Sequence, residues 1–203
     1  MEFSVAVERI GIPALCVVLA YGVWCLPQDV QAILVYQRSG VEQGEYWRLW
    51  TAHLTHYSLS QLVVNVGMFS VLLYVLRDEL AVPYVFLGWS ICVAMPLVLL
   101  SQYLWVDGLL EYRGISALVA MLWVWFFLGV VQTSRVYSGR FFLASAALLG
   151  FILRMFSDGW QGATISELPQ GVSIAWQAHL AGGCCGLFAF WLYAYHKKGA
   201  CSL

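Results

Sequence analysis

Residues 115–131 read ISALVAMLWVWFFLGVV, an apolar run without a single charged side chain. A helix of about 20 apolar residues crosses the hydrocarbon core of a bilayer, so this run predicts a transmembrane helix. The same pattern recurs in five further runs, at 10–26, 59–76, 82–104, 141–156 and 174–195. These runs lack the two-residue alternation of membrane strands, which makes strands improbable. The sequence therefore predicts an all-α, polytopic membrane protein with six transmembrane helices.

The composition of the whole chain favours the same class. Its 203 residues are 62% hydrophobic and 10% charged, with a mean hydropathy of +0.77, whereas soluble domains are about 45–50% apolar and about 25% charged. The length indicates one membrane domain over residues 1–203, surrounded by the lipid bilayer. The net charge of −1 provides no basic stripe for nucleic acid. The six cysteines lack zinc-site or CxxC spacing and are expected to be buried thiols.

The basic residues of the connections indicate the orientation. Six lie in the N-terminus, the second loop, the fourth loop and the C-terminus, against three in the first, third and fifth loops. Cytoplasmic segments carry the excess of Lys and Arg, so both termini are predicted to be cytoplasmic. The long first loop (27–52) and the fifth loop (157–173), rich in Gly, Ser, Thr and Gln, then lie on the outer side.

Polar side chains inside apolar spans are candidates for function because they are costly in hydrocarbon. Gln61 and Asn65 are four residues apart and share one helix face, with His56 just before them. Two amides aimed at one point are able to donate hydrogen bonds to a developing oxyanion. The alternative is a clamp of hydrogen bonds between helices, which these residues alone favour.

Two further polar residues lie among small ones. Ser116 follows Gly114 in the fourth span, and His179 lies beside a ridge of small residues in the last span. A serine in such a place is usually a packing residue, and a histidine there is able to act as a metal ligand, a proton relay or a catalytic base. No other His or Cys has chelating spacing, which disfavours a metal. Both residues lie within about two turns of the outer ends of their helices, at similar depth, as a Ser–His pair requires.

These positions occur in the order that is typical of the rhomboid family of intramembrane serine proteases, which the chain resembles from the first loop onward. Trp47 and Arg48 match the Trp-Arg motif of that family in the first loop. His56, Gln61 and Asn65 fall where the family has H-x-x-x-x-H-x-x-x-N, with Gln61 at the second histidine.

The other two motifs carry the catalytic residues of that family. Residues 114–117 read GISA where the family has G-x-S-G, and residues 178–186 read AHLAGGCCG, which matches A-H-x-x-G-x-x-x-G. A short six-span layout without extra domains looks like the rhombosortase branch, whose members process the C-terminal membrane anchor (GlyGly-CTERM) of exported bacterial proteins.

The resemblance implies a function and a set of roles. Ser116 is the nucleophile and His179 the general base of a Ser-His dyad, while Gln61, Asn65 and the Ser116 backbone N–H form the oxyanion hole. The fifth loop caps the site. The site-supporting residues are His56, Gly114, Ala117, Gly182 and Gly186.

The resemblance also implies the location and the partners of the protein. It predicts an integral, multi-pass protein of the bacterial inner membrane that cleaves a membrane-anchored protein substrate near the outer face of the bilayer. It requires no cofactor and no metal, and it leaves the oligomeric state open. The alternatives are a catalytically inactive rhomboid-like protein that binds membrane-anchored clients and, less favoured for lack of paired broken helices, a transporter or channel subunit.

Three positions depart from the family pattern. Gln61 replaces a histidine but still offers two N–H donors. Ala117 adds a methyl group where the fourth and sixth spans should touch, and overpacking of this kind typically costs about 1–3 kcal/mol. Ala120 stands where many members have a tyrosine that stacks on the histidine, so another group must orient His179. No carboxylate lies within its span, which fits a dyad rather than a triad.

Overall fold

A computed structural model describes residues 2–161 and 176–200 of the chain, and most of this part is helical. The first long helix is α1 (Glu2–Trp24). The first loop contains three short helices, α2 (Gln28–Leu34), α3 (Arg38–Glu42) and α4 (Arg48–Thr51), and a 3-10 turn (Ala52–Leu54). Five long helices follow, namely α5 (Leu59–Leu80), α6 (Tyr84–Trp105), α7 (Ser116–Thr133), α8 (Gly139–Gln161) and α9 (Trp176–Ala200).

Four of the described helices are long and apolar enough to cross a membrane. They are α5, α6, α7 and the Gly139–Asp158 part of α8. The apolar stretch of α1, Gly11–Trp24, is shorter, and α9 is not among the four. The chain is therefore a helical membrane protein with four candidate membrane-spanning helices among its described residues.

The outward faces of these helices are apolar. Trp89 on α6, Leu143 on α8 and Phe188 on α9 are 70%, 74% and 63% exposed. Large contiguous apolar surfaces are rare on soluble monomers. Such faces suit contact with lipid tails.

One expectation about local structure is wrong. The fifth predicted span ends at 156, but α8 continues to Gln161, so residues 157–161 of the predicted fifth loop are helical. Residues 162–173 of that loop lie outside the described part. A short ribbon also exists, in which β1 (Tyr36–Gln37) pairs antiparallel with β2 (Glu111–Tyr112). Two-residue strands are too short to show a periodicity in the sequence. This ribbon ties the first loop to the segment just before α7.

Helices α5 and α7 run in the same direction. Near the start of α5, Gln61 lies against Gly114, two residues before α7 begins. At the end of α5, the Leu80 side chain lies against Gly129 in the last third of α7. The N-terminal ends of the two helices therefore lie at the same end of the bundle.

Two apolar cores stabilise the helices. The larger core lies between α1, α5, α6, α7 and α9 and includes the fully buried Leu76, Leu122 and Trp125. The smaller core joins the first loop to α6, α7 and α9 and includes Tyr36 and Ala117. Because lipid tails are as apolar as these side chains, the helices associate through close packing rather than through removal from water.

Candidate active site

Ser116 and His179 are brought together although they lie 63 residues apart in the sequence. Ser116 is the first residue of α7, and His179 is in the first turn of α9. The Ser116 Oγ lies 2.9 Å from the His179 Nε2. When the hydroxyl donates to Nε2, the ring proton of the neutral histidine sits on Nδ1. This is the arrangement in which a histidine is able to take a proton from a serine.

Backbone contact between α7 and α9 produces this proximity. A Cβ atom at Gly182 would overlap the Ala117 carbonyl, and one at Gly186 would overlap the Met121 carbonyl one turn further on. Both contacts advance in the same direction along the two helices, so α7 and α9 are parallel. Glycine is required at both places because the facing atoms are backbone, which is unable to rotate away.

The methyl group of Ala117 is accommodated without separating the helices. Ala117 and Ala178 are fully buried in the smaller core, while the backbone of α7 still reaches Gly182. The close approach therefore depends on the glycine of α9. The crowding expected from an alanine at position 117 does not keep the two helices apart.

The amides of Gln61 and Asn65 converge just before Ser116. A Cβ atom at Gly114 would lie 3.0 Å from the Gln61 Nε2 and 3.8 Å from the Asn65 Nδ2. Gly114 has a φ of +119°, a conformation that side chains disfavour. Two amide nitrogens thus face a small space beside the backbone of Gly114. Amide N–H groups placed in this way are suited to bind a negatively charged oxygen.

The orientation of the Gln61 amide is fixed by its neighbours. The Tyr57 backbone N–H donates to the Gln61 Oε1 at 2.7 Å, so the NH2 group is the part of the amide that faces Gly114. Ser58 caps the start of α5 and accepts from the Gln61 backbone N–H at 3.1 Å. The side chain that replaces a histidine of the family motif therefore presents donors.

His53 contacts the same loop, although the sequence analysis did not select it. Its ring is fully buried, with Nε2 3.0 Å from the Met95 carbonyl and Nδ1 3.3 Å from the Gly114 carbonyl. Burial lowers the pKa of His53 to about 4, so the ring is neutral near pH 7. The Gly114 N–H in turn donates to the Ala52 carbonyl at 3.1 Å. The first loop therefore holds the segment that carries Ser116.

Tyr112 is a second residue that the sequence did not indicate. Its ring packs edge-on against His53, with 5.6 Å between the ring centres. Its buried hydroxyl has no hydrogen-bond partner of good geometry in the described part of the chain, although it lies beside the Ser116 side chain and the Ala117 backbone. Burial raises the pKa of Tyr112 to about 12.

His56 lies before α5 rather than on it, because the helix begins at Leu59. Its ring is buried, and within the described residues neither ring nitrogen has a hydrogen-bond partner. Burial lowers the pKa of His56 to about 4. The signals for a special role were its place in the polar stretch before the second span and its match to the first histidine of the H-x-x-x-x-H-x-x-x-N pattern.

The Trp-Arg pair closes the first loop. Arg48 is 6% exposed and donates through its Nη1 group to the carbonyls of Ala32 (2.8 Å) and Val35 (2.6 Å), while its Nε pairs with Glu45. The Trp47 indole N–H donates to the Ile33 carbonyl at 3.2 Å. These bonds satisfy loop carbonyls, so the pair organises the loop that supports the site.

No model of a known protein family matches the chain, and no curated protein matches it. The rhomboid resemblance therefore stays a prediction from the four motifs. Among the described residues, no three His, Cys, Asp or Glu side chains are grouped in a way that would hold a metal ion.

Proposed function

We propose that the protein is a rhomboid-type intramembrane serine endopeptidase in which Ser116 is the nucleophile and His179 is the general base, then acid. The observation that carries the proposal is the 2.9 Å distance between the Ser116 Oγ and the His179 Nε2. A hydroxyl is a weak nucleophile until an adjacent base removes its proton. The amides of Gln61 and Asn65 beside Gly114 supply the second requirement, a site for the oxyanion.

The reaction follows from these groups. The Ser116 Oγ attacks the scissile carbonyl carbon while its proton passes to the His179 Nε2. The carbonyl oxygen becomes an oxyanion that accepts from the Gln61 and Asn65 amides. The imidazolium then protonates the leaving amine, and an acyl-enzyme remains on Ser116. Water attacks this ester with His179 again as base, and the new carboxyl terminus leaves as Ser116 regains its proton.

The position of the site favours a substrate that is anchored in the membrane. The site lies where α5, α7 and α9 begin, at one end of the bundle, and the flanks of the bundle are apolar. In a six-span rhomboid-like arrangement, α1 and α9 also cross the bilayer. The 25 residues of α9 are long enough to do so at a rise of about 1.5 Å per residue. With both termini in the cytoplasm, the cleavage occurs near the outer face.

The substrate class that we propose is a protein with a C-terminal membrane anchor of the GlyGly-CTERM kind, processed at the bacterial inner membrane as by rhombosortases. The absence of a folded domain between the long helices of the described part supports this branch. A reporter protein carrying such an anchor, co-expressed with this protein, is expected to shorten with the wild type and to stay intact with Ser116→Ala.

A fluorophosphonate probe tests the nucleophile directly. We expect labelling of the purified wild-type protein, none of Ser116→Ala, and labelling of His179→Ala slower by about 10²–10⁴-fold, the usual contribution of a general base. Ser134→Ala is the matched control, since Ser134 follows the other end of α7 and its hydroxyl is also buried. It should label like the wild type. If folded wild-type protein takes no label, or if Ser116→Ala keeps it, the proposal is wrong and the client-binding alternative is favoured.

A further inference from the structure

The second nitrogen of His179 needs an acceptor. With the Ser116 hydroxyl donating to Nε2, the ring proton sits on Nδ1, and in serine hydrolases a carboxylate usually accepts it. Helix α9 contains no Asp or Glu. A carboxylate acceptor for the Nδ1 proton must therefore come from another element.

One face of α8 is turned toward α9. The Phe151 ring lies against Gly183 of α9, where an added Cβ atom would be 3.0 Å from it. Met155 and Asp158, four and seven residues later, share this helix face, and both are buried. The Asp158 side chain is only 6% exposed. A carboxylate is thus buried on the face that contacts α9.

The helix directions bring this carboxylate to the height of His179. Helix α7 ends at Thr133 and α8 begins at Gly139. Twelve residues into α8, Phe151 meets Gly183, which also faces Val124 in the middle of α7, so α8 runs back along α7. Since α7 and α9 are parallel, α8 and α9 are antiparallel. We measure from the Phe151–Gly183 contact toward the site, at about 1.5 Å per residue. Asp158 then lies about 10 Å along α8, and His179 lies about 6 Å along α9. The two residues differ in height by less than one turn.

An ion pair holds the Asp158 carboxylate. The Arg154 Nε lies 2.9 Å from it, and the Arg154 side chain is 62% exposed, so the arginine approaches from outside while the carboxylate stays inside.

We propose that Asp158 is the positioning residue of His179: from α8, its carboxylate orients the imidazole and stabilises the imidazolium formed when Ser116 is deprotonated. The inference rests on the proposed function and replaces the dyad with a set of three residues. It also supplies the orienting group that Ala120 is unable to provide. Arg154 keeps the carboxylate in place from the lipid-facing side.

Among the residues that the structure describes, the other groups around His179 leave few competing charges. On α7 the neighbouring polar groups are the Ser116 hydroxyl and the Tyr112 phenol just before the helix. On α8 they are Arg154 and Asp158. The α6 residues that line the groove between α6 and α9 include no ionisable side chain. On α9 itself the nearest ionisable groups are the thiols of Cys184 and Cys185.

The rate of fluorophosphonate labelling as a function of pH tests the inference. Labelling needs neutral His179, so the rate rises with pH to a plateau. Asp158→Asn should lower the plateau at least 10-fold and move the midpoint to lower pH by up to about one unit, because the charge that favours the imidazolium is gone. Arg154→Gln should move the midpoint to higher pH, because the carboxylate then acts unopposed.

Shifts of the pH midpoint in opposite directions in Asp158→Asn and Arg154→Gln would distinguish a positioning role of Asp158 from a purely structural one. Both variants break the same ion pair, so a purely structural contribution would affect them alike and leave both midpoints at the wild-type pH, which would overturn the inference. Asp158→Glu should recover part of the plateau rate. Arg140→Gln, which breaks the exposed ion pair with Glu79, is the control and should not move the midpoint.

The outcomes also separate this inference from the proposed function. If the wild type does not label, the proposed function fails. If it labels and neither midpoint moves, only the role of Asp158 fails. Should Asp158→Asn not fold, the direction of the shift in Arg154→Gln still decides the matter.

Discussion

The two ends of the helix bundle are built by different means. The end remote from the site is held by apolar side chains such as Leu76 and Trp125, which are fully buried. At the site end, buried polar groups fix backbone segments, as Arg48 does for the first loop and the Ala52 carbonyl for Gly114. Packing against other apolar groups specifies helix spacing, whereas hydrogen bonds specify the direction of individual groups. The comparison indicates that one end supplies stability and the other positions donors and acceptors.

The largest expected effect separates activity from stability at the two ends. Gln61→Ala and Asn65→Ala should each lower the labelling rate by about 10²–10³-fold, the usual loss for one oxyanion donor, with little change in the free energy of unfolding. Leu76→Ala, in the apolar core near the far end of α5, should do the reverse, with a loss of about 2–5 kcal/mol of stability and an unchanged rate per folded molecule. Labelling kinetics and denaturant unfolding in detergent measure the two quantities. Equal losses of rate in all three variants would show that the two ends do not differ.

A smaller effect concerns the contact that joins the two ends. Gly182→Ala places a methyl group on the Ala117 carbonyl and should cost about 1–3 kcal/mol of unfolding free energy, with slower labelling because His179 moves from Ser116. Gly183→Ala is the matched control, because its methyl group meets side chains, the Phe151 ring and a Val124 methyl group, rather than backbone. Its expected change in stability is within about 1 kcal/mol. If the two variants unfold alike, the backbone contact is not what sets the helix spacing.

The smallest effect is a pH dependence confined to the site end. Burial lowers the pKa of His53 and of His56 to about 4, against about 6.5 in an unfolded chain. The folded state thus favours the neutral rings, so stability is complete above about pH 6.5 and declines as the pH falls toward 4. Each histidine should remove about 1 kcal/mol between pH 7 and pH 5.5.

Histidine variants assign this pH dependence. His53→Gln should reduce the change in unfolding free energy between pH 7 and pH 5.5. His196→Gln, at an exposed position of α9, should leave the change as it is in the wild type. A wild-type stability that is flat over this range would contradict the expected role of burial.

Much of the helical layout was predictable from the sequence because apolar length is a local property. The runs at 59–76, 82–104 and 115–131 correspond to α5, α6 and α7 within a few residues. The end of α8 was not predictable from the sequence, because its last one and a half turns contain Ser157 and Asp158. These residues are polar and are typical of a loop. The carboxylate that makes this turn look like a loop is buried, and burial depends on a neighbouring helix.

The candidate site was predictable only in part. Ser116 and His179 stood out as polar residues beside small ones, and their distance follows from glycines that the sequence already showed. His53 and Tyr112 gave no such signal, because nothing in the local sequence indicates that they meet the loop around Gly114. Their roles depend on the β1–β2 ribbon, which joins segments more than 70 residues apart.

The sequence by itself determined that this chain is a helical membrane protein, because hydropathy and helix periodicity act over one or two turns. It also determined which polar residues an apolar bundle would have to accommodate. Only the tertiary structure decided which of these residues meet. The backbone contact of α7 with α9 brings Ser116 to His179, and the antiparallel course of α8 brings Asp158 to the same height. Such encounters depend on helix direction and register, which close packing sets between segments distant along the chain.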